Sequence, residues 1–473
     1  MKVLGCMKGS ALVKTAQHKP TNKGESAIAS NKSWVSVVLC VIVLVVLPSL
    51  YYGIAQYKFN GSYSIFDEIT HMSYAWSASH GNIPMKGDSD ASQALNDWSC
   101  SGQAGIELPK CNSGASAEKY PNLGQQYNYF HPPIYYFVTG IFARLISVVI
   151  PRISFFTAVR ALSIVWMVAG CIALYFAIRA WKIERTYALS AVALVPYIPV
   201  FLNSGTAATN DAPALLCGAS VVWVTAKIFV EQKKWFWQMI LIILCCGFIK
   251  GTFVFPFLAL AAVLVSYAVA SFCRHQLDVA RTSLIRGIVC GCASLVGVYA
   301  FQIVQKFRGD HTVASAVAGQ NTDSPQGTPV GEFLNTVMSW TSLGLVKDSF
   351  REGMADSVGY PIWEAIIGIV IICSVIFLYF QHDKIQSHNM LCATTIFGLM
   401  MYPTLIQIRE YMSSGELFRQ ITGRYGIVFL PLVLCCWALA LQNRKSNVVA
   451  VVIPLIGSIL CFAGVILLPQ YGV

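Results

Sequence analysis

The sequence predicts an all-α, polytopic membrane protein, and three observations predict it. Hydrophobic residues make up 56% of the 473 positions and charged residues only 12%, roughly half the charged share of a soluble domain. Mean hydropathy is +0.59. Apolar runs close to the ~20 residues that cross a bilayer as a helix recur along the chain. The net charge of +11 does not point to a nucleic-acid partner. The basic residues fall mostly in short loops between apolar runs, where the positive-inside rule places them.

Apolar runs lie near residues 34–55, 134–150, 158–180, 187–202, 212–230, 236–250, 252–273, 286–306, 360–380, 390–406, 425–441 and 448–468. Residues 1–33 precede them, carry six lysines, and read as a disordered basic cytoplasmic tail. The first apolar run lies too far in and is too long for a cleaved signal. Residues 34–473 read as a single integral-membrane domain.

If every run crosses, Arg179/Lys182/Arg185, Lys233/Lys234 and Arg274/Arg281/Arg286 fall on the side opposite the basic tail. Removing one early crossing returns all three groups to the tail's side. The run to remove is 134–150. Ile134, Phe137, Val138, Ile141, Phe142, Leu145, Ile146 and Val149 make one stripe, and Thr139, Gly140, Ala143, Arg144 and Ser147 fill the other face. Pro132/Pro133 precede it and Pro151 ends it. That pattern is an amphipathic helix in the interface plane. The expectation is about eleven transmembrane helices in a plasma membrane, with the N-terminus cytoplasmic and the C-terminus outside. Interfacial helices then lie in the outer loops 56–133 and 307–358, the second of them near 328–340.

Most of the sixteen cysteines lie in apolar runs, where Cys behaves as a small hydrophobe. Cys100 and Cys111 share one polar outer loop and make a disulfide if that loop faces an oxidising compartment.

Residues 64–80 read as a short helix with an apolar stripe of Ile65, Ile69, Met72 and Trp76. Asp67, His71 and Tyr74 lie opposite, with Glu68 at the flank. A carboxylate held there suits a general base that takes a proton from an acceptor hydroxyl. Asp67 is the better placed and Glu68 the second catalytic candidate. The competing reading is a capping box, with Ser64 as N-cap and Asp67 at the third helical position. His71 either joins the site or is surface.

These residues resemble the GT-C class of membrane glycosyltransferases. Phe66-Asp67-Glu68-Ile69-Thr70-His71 resembles the acidic motif of protein O-mannosyltransferases. His131-Pro132-Pro133-Ile134-Tyr135-Tyr136 resembles their His-Pro-Pro motif and the Lys-Pro motif of aminoarabinose transferases. Asn203, Asn210-Asp211, Lys250-Gly251 and Gly423-Arg424-Tyr425 are similar to motifs of a bacterial integral membrane family of the same class. The resemblance implies an all-helical bundle, an acidic base, and a polyprenyl-phosphate sugar donor. The acceptor would be a glycan, lipid or protein of the cell envelope. Phe130 stands where aminoarabinose transferases carry a Glu that helps hold a metal, so the metal-independent pattern fits better and a divalent metal stays an open alternative.

A leaving lipid phosphate needs cations at the outer surface. Arg160, Lys250 and Arg424 lie at outer ends of runs as substrate-binding candidates, with Tyr425 beside the last. Lys306 and Arg308 read as snorkelling to headgroups. His131 would bond a phosphate oxygen or the acceptor, or else cap the interfacial helix. Asn210 and Asp211 either cap the helix that starts near Pro213 or bind sugar hydroxyls. Trp76, Trp98, Trp340 and Trp363 read as interfacial belt. Two rivals remain: a flippase of lipid-linked sugars, and a non-catalytic subunit of an envelope-glycan assembly.

Overall fold

Long apolar runs become long helices, and single interior prolines at Pro403 and Pro454 are carried within two of them. A computed structural model describes residues 34–59, 61–64, 67–232, 236–317, 322–324, 328, 330–331, 334, 359–381, 386–418, 421 and 423–467. Contacts divide the chain into Met1–Ile42 and Val43–Val473. Residues 34–42 of the first unit are helical, and all packing described below belongs to the second.

Among the described residues, eight helices are long and apolar enough to cross a membrane. They are α1 (Trp34–Lys58), α5 (Phe155–Ala180), α10 (Phe255–Cys273), α11 (Leu277–Lys306), α12 (Gly359–Phe380), α13 (Gln386–Ser414), α14 (Leu430–Arg444), which reaches the needed length together with the 3₁₀ turn before it as Gly423–Arg444, and α15 (Asn447–Leu467). Shorter apolar helices are α4 (Ile134–Val149), α8 (Ala214–Phe229) and α9 (Phe236–Ile249). The expected span 187–202 is broken. It forms α6 (Arg185–Leu194), a 3₁₀ turn at Val195–Tyr197, and α7 (Phe201–Thr206). Pro196 and Pro199 each remove a backbone donor, which ends the helix. The buried pieces nonetheless pack against α14 and α15.

α14 is buried along nearly its whole length and touches α6, α8, α12 and α13. Trp363 on α12 is fully buried, and its indole N–H donates to the Tyr197 carbonyl at 2.5 Å. The belt assignment for Trp363 is therefore corrected: its N–H finds a buried acceptor that a headgroup position would not offer. Trp98 is also buried, against Tyr63 and Tyr120.

The segment between α1 and α4 contains two short helices, α2 (Glu68–Ser79) and α3 (Ser92–Ser101). Cys100 and Cys111 are joined as a disulfide, as their shared loop suggested. The end of α11 anchors this loop. Gln305 Nε2 donates to the Pro84 carbonyl at 2.9 Å and to the Tyr129 carbonyl at 2.7 Å. Arg308 donates to the Ile83 carbonyl at 3.0 Å, so it is a protein tether and not a headgroup snorkel. The second outer helix expected near 328–340, with Trp340, falls largely outside the described residues.

In α4 the small-residue face is the packed one. Tyr135, Tyr136, Thr139, Gly140 and Ala143 are buried, while Ile141, Phe142, Leu145 and Val148 are exposed. Arg144 donates to the Ser79 carbonyl at the end of α2. A Cβ at Gly140 would stand 2.3 Å from the Ala75 carbonyl oxygen, so α2 and α4 meet this closely only through glycine. Gly140→Ala is expected to force them apart and lower stability by about 1–3 kcal/mol, read as a lower unfolding midpoint in detergent. An unchanged midpoint would show that the α2–α4 contact adjusts freely.

Candidate functional site

Asp67 and Glu68 are neighbours with opposite fates. Asp67 has φ 52° and ψ 3°, the left-handed region, and α2 begins after it. Aspartate is one of the few non-glycine residues that visits this region. The turn sends the two carboxylates in different directions. The capping reading is overturned: the Asp67 side chain makes no cap hydrogen bond. Its Oδ1 accepts from the Tyr127 hydroxyl at 2.9 Å, and its Oδ2 lies 3.2 Å from Arg424 Nη2. The side chain is 33% exposed.

Glu68 is fully buried. Its Oε1 accepts from Arg160 Nε at 2.8 Å and from the Ala208 amide at 2.9 Å, and its Oε2 accepts from the Ser64 amide at 2.6 Å. A carboxylate so occupied is a structural anchor, which corrects its place as a catalytic candidate. Arg160 is corrected with it. Its charge is spent on Glu68, and its guanidinium sits 4.6 Å from the Tyr63 ring centroid. This pair fastens α2 and the loop before it to α5 and to the turn after α7.

Asp211 does not cap α8, whose N-cap is Pro213. It is buried and lies between two cations. Lys250 Nζ is 2.5 Å from its Oδ1, and Arg424 Nε is 3.2 Å from its Oδ2. Lys250 follows the last residue of α9, and Arg424 stands in the 3₁₀ turn Gly423–Phe429 that leads into α14. The half-buried Tyr425 ring lies 5.6 Å from the Arg424 guanidinium and 6.0 Å from Lys250. Four residues spread over the chain thus form one connected set: Lys250, Asp211, Arg424 and Asp67. Asn210 beside them is fully buried, and its side-chain amide has no hydrogen-bond partner among the described residues.

His71 is buried, not surface. Its Nδ1 lies 2.7 Å from the Tyr136 hydroxyl, and its Nε2 is 3.4 Å from the Asn128 amide nitrogen. The His131 ring lies 5.9 Å from that of His71. Burial first, then nearby cationic side chains, hold both imidazoles well below the ordinary histidine range. For His71 those cations are Arg424 and Lys250; for His131 the larger is Lys250.

A mainly apolar groove of about 610 Å³ borders this set at Lys250. Its polar lining residues include His131, Lys250, Gln302 and Arg409. Its walls include Phe255 and Leu258 of α10, Val298 of α11, and Ile408 of α13. Such a groove takes an apolar chain whose polar end meets a cation. A divalent metal fits poorly. No three His, Cys, Asp or Glu converge among the described residues, and Asp67 and Asp211 already face guanidinium and ammonium groups. No step is derived through a metal.

Sequence reasoning missed Tyr127, Asn128 and Tyr136 as partners of site residues. The signal for the first two was the polar-aromatic run just before His131.

Two expectations follow. Glu68→Gln leaves Arg160 without its counter-charge and should cost about 3–5 kcal/mol of stability, seen as a lower unfolding midpoint. A midpoint unchanged by that substitution would deny the pair its anchoring role. The histidines make stability pH-dependent. Their unfolded forms titrate near 6.5 and their folded forms lower, so the unfolded state binds more protons between the two values. Stability is full above about pH 6.5 and falls as pH drops below it. The unfolding midpoint should decrease from pH 7.5 to 5.5, and His71→Gln should flatten that slope.

Residues 130–301 match the family model for dolichyl-phosphate-mannose-protein mannosyltransferase. No curated protein matches the chain. The matched segment contains His131, Arg160, Asn210, Asp211 and Lys250; Asp67, Glu68, His71, Arg424 and Tyr425 lie outside it. By this match residues 130–301 are similar to the GT-C-like protein mannosyltransferases, in a chain whose long apolar helices suit a multi-pass membrane protein.

Proposed function

We propose that this protein moves a sugar from a polyprenyl-phosphate donor to a cell-envelope acceptor on the outer face of the membrane. The observation that carries the reading is the mainly apolar groove lined in part by His131 and Lys250, with Asp67 joined to Lys250 through Arg424 and Asp211. A polyprenyl chain fits the groove, and its phosphate meets fixed cations. The name of the matched family supports the same donor class, with mannose as one candidate sugar and protein as one candidate acceptor.

In the reaction, the acceptor hydroxyl gives its proton to Asp67 as its oxygen bonds to the anomeric carbon. The bond from that carbon to the phosphate oxygen breaks, and the phosphate keeps the electron pair. Lys250 and Arg424 stabilise the charge that develops there, at an effective dielectric well below that of water. One base and one displacement invert the anomeric centre. Asn210 would offer its amide to a sugar hydroxyl, which its missing partner supports. His131, neutral at pH 7, would hydrogen-bond the phosphate or the acceptor.

The architecture that goes with this reading has eleven crossings. It adds α8, α9 and the proline-broken α6–α7 segment to the eight long helices, and leaves α4 in the interface. The N-terminus is cytoplasmic, residues 1–33 are a basic tail, and residues 34–473 are one domain. Orientation rests on the basic loops.

The test is glycan mass spectrometry on a strain lacking the protein, complemented with wild type or variants at matched expression. Asp67→Asn should lower transfer about 10²–10⁴-fold without loss of donor-lipid binding, whereas Lys250→Met should weaken donor binding itself. Full restoration of the missing sugar by Asp67→Asn would sink the assignment of the base.

A further inference from the structure

Asp67 stands outside any helix, in a left-handed turn, yet a base must present one defined edge to its substrate. Arg424 Nη2 lies 3.2 Å from Oδ2, and one such contact by itself leaves a carboxylate free to rotate about it. The second contact comes from Tyr127, whose hydroxyl donates to Oδ1 at 2.9 Å.

Tyr127 is itself referenced to Asp67. The Asp67 carbonyl accepts from the Thr70 hydroxyl at 2.8 Å, and that hydroxyl accepts from the Asn128 amide at 2.6 Å. Asn128 follows Tyr127 in the 3₁₀ turn Tyr127–Phe130. The path closes: Asp67 main chain, Thr70, Asn128, Tyr127, Asp67 side chain. Gln126 braces the same turn from behind. Its amide donates to the Thr70 carbonyl at 2.8 Å and to the buried Asp90 carboxylate at 2.9 Å. A ring that returns to the carboxylate through both its main chain and its side chain fixes the carboxylate's rotation.

We propose that Tyr127 is a positioning residue for Asp67, orienting the carboxylate so that its open edge receives the acceptor's proton. The inference rests on the reading of Asp67 as the base. Tyr127 keeps its own proton throughout, because burial first and the adjacent Asp67 carboxylate second push its phenol upward. It donates to Oδ1 and carries no proton to or from the substrate. The acceptor's proton ends on Asp67 and leaves to solvent through the exposed edge.

The experiment is steady-state kinetics of the purified full chain in detergent, with polyprenyl-phosphate mannose, the candidate donor suggested by the name of the matched family, as probe. Tyr127→Phe keeps the ring and removes one hydroxyl. The expected result is a kcat lower by about 10- to 100-fold, the scale of a misplaced reacting group, with the donor KM unchanged and the unfolding midpoint preserved. An unchanged kcat overturns the proposal, and so does a raised donor KM at constant kcat. If Tyr127→Phe folds poorly, Thr70→Val cuts the same ring at another bond. It should give the same loss confined to kcat, and an intact kcat there overturns the proposal as well. Asp67→Asn is the control. If it stays active, the base itself is misassigned; if it is dead while Tyr127→Phe is fully active, only the role of Tyr127 falls.

Discussion

The set Lys250–Asp211–Arg424–Asp67 is the constraint on which the rest of the site depends. Two cations and two carboxylates sit at one end of an otherwise apolar bundle, and their formal charges cancel. Buried alone, any of them would be costly; as a connected set they satisfy one another. Asp211 is the centre, since Lys250 and Arg424 both turn toward it. The set therefore joins the start of α8, the end of α9, the turn before α14 and the turn before α2. The two cations are held in place by Asp211 and Asp67.

The second ion pair does different work. Glu68–Arg160 has no open edge: the carboxylate is saturated by Arg160 and two backbone amides. It locks the base of α2 against α5 and leaves Asp67, one residue earlier, as the partly exposed carboxylate. Rigidity at Glu68 and access at Asp67 are two consequences of one left-handed turn. His71, Tyr136 and Asn128 continue the lock on the next turn of α2, and Gly140 lets α4 close over it.

The groove gives the site direction. Its walls are mainly aliphatic and aromatic side chains of α10, α11 and α13, with Gln302 and Arg409 among them, and Lys250 belongs both to its lining and to the charged set.

By itself the sequence determined what depends on composition and short-range pattern. The apolar runs gave most of the helices, and the shared polar loop pointed to the Cys100–Cys111 disulfide. The order of motifs around Asp67, His131, Asp211, Lys250 and Arg424 named most of the residues that meet. The tertiary structure decided how they pair, because ion pairing here joins residues up to 357 positions apart, and no local pattern carries that information. It separated Asp67 from Glu68 through a backbone turn that helical periodicity cannot foresee. It spent Arg160 on Glu68, took Asp211 from a cap to the centre of the charged set, and buried Trp363 in the bundle. It also broke the 187–202 run, where Pro196 and Pro199 outweighed the apolar pattern. Tyr127 became a partner of Asp67 only when the 3₁₀ turn before His131 folded back onto α2, a contact made by packing across sixty residues.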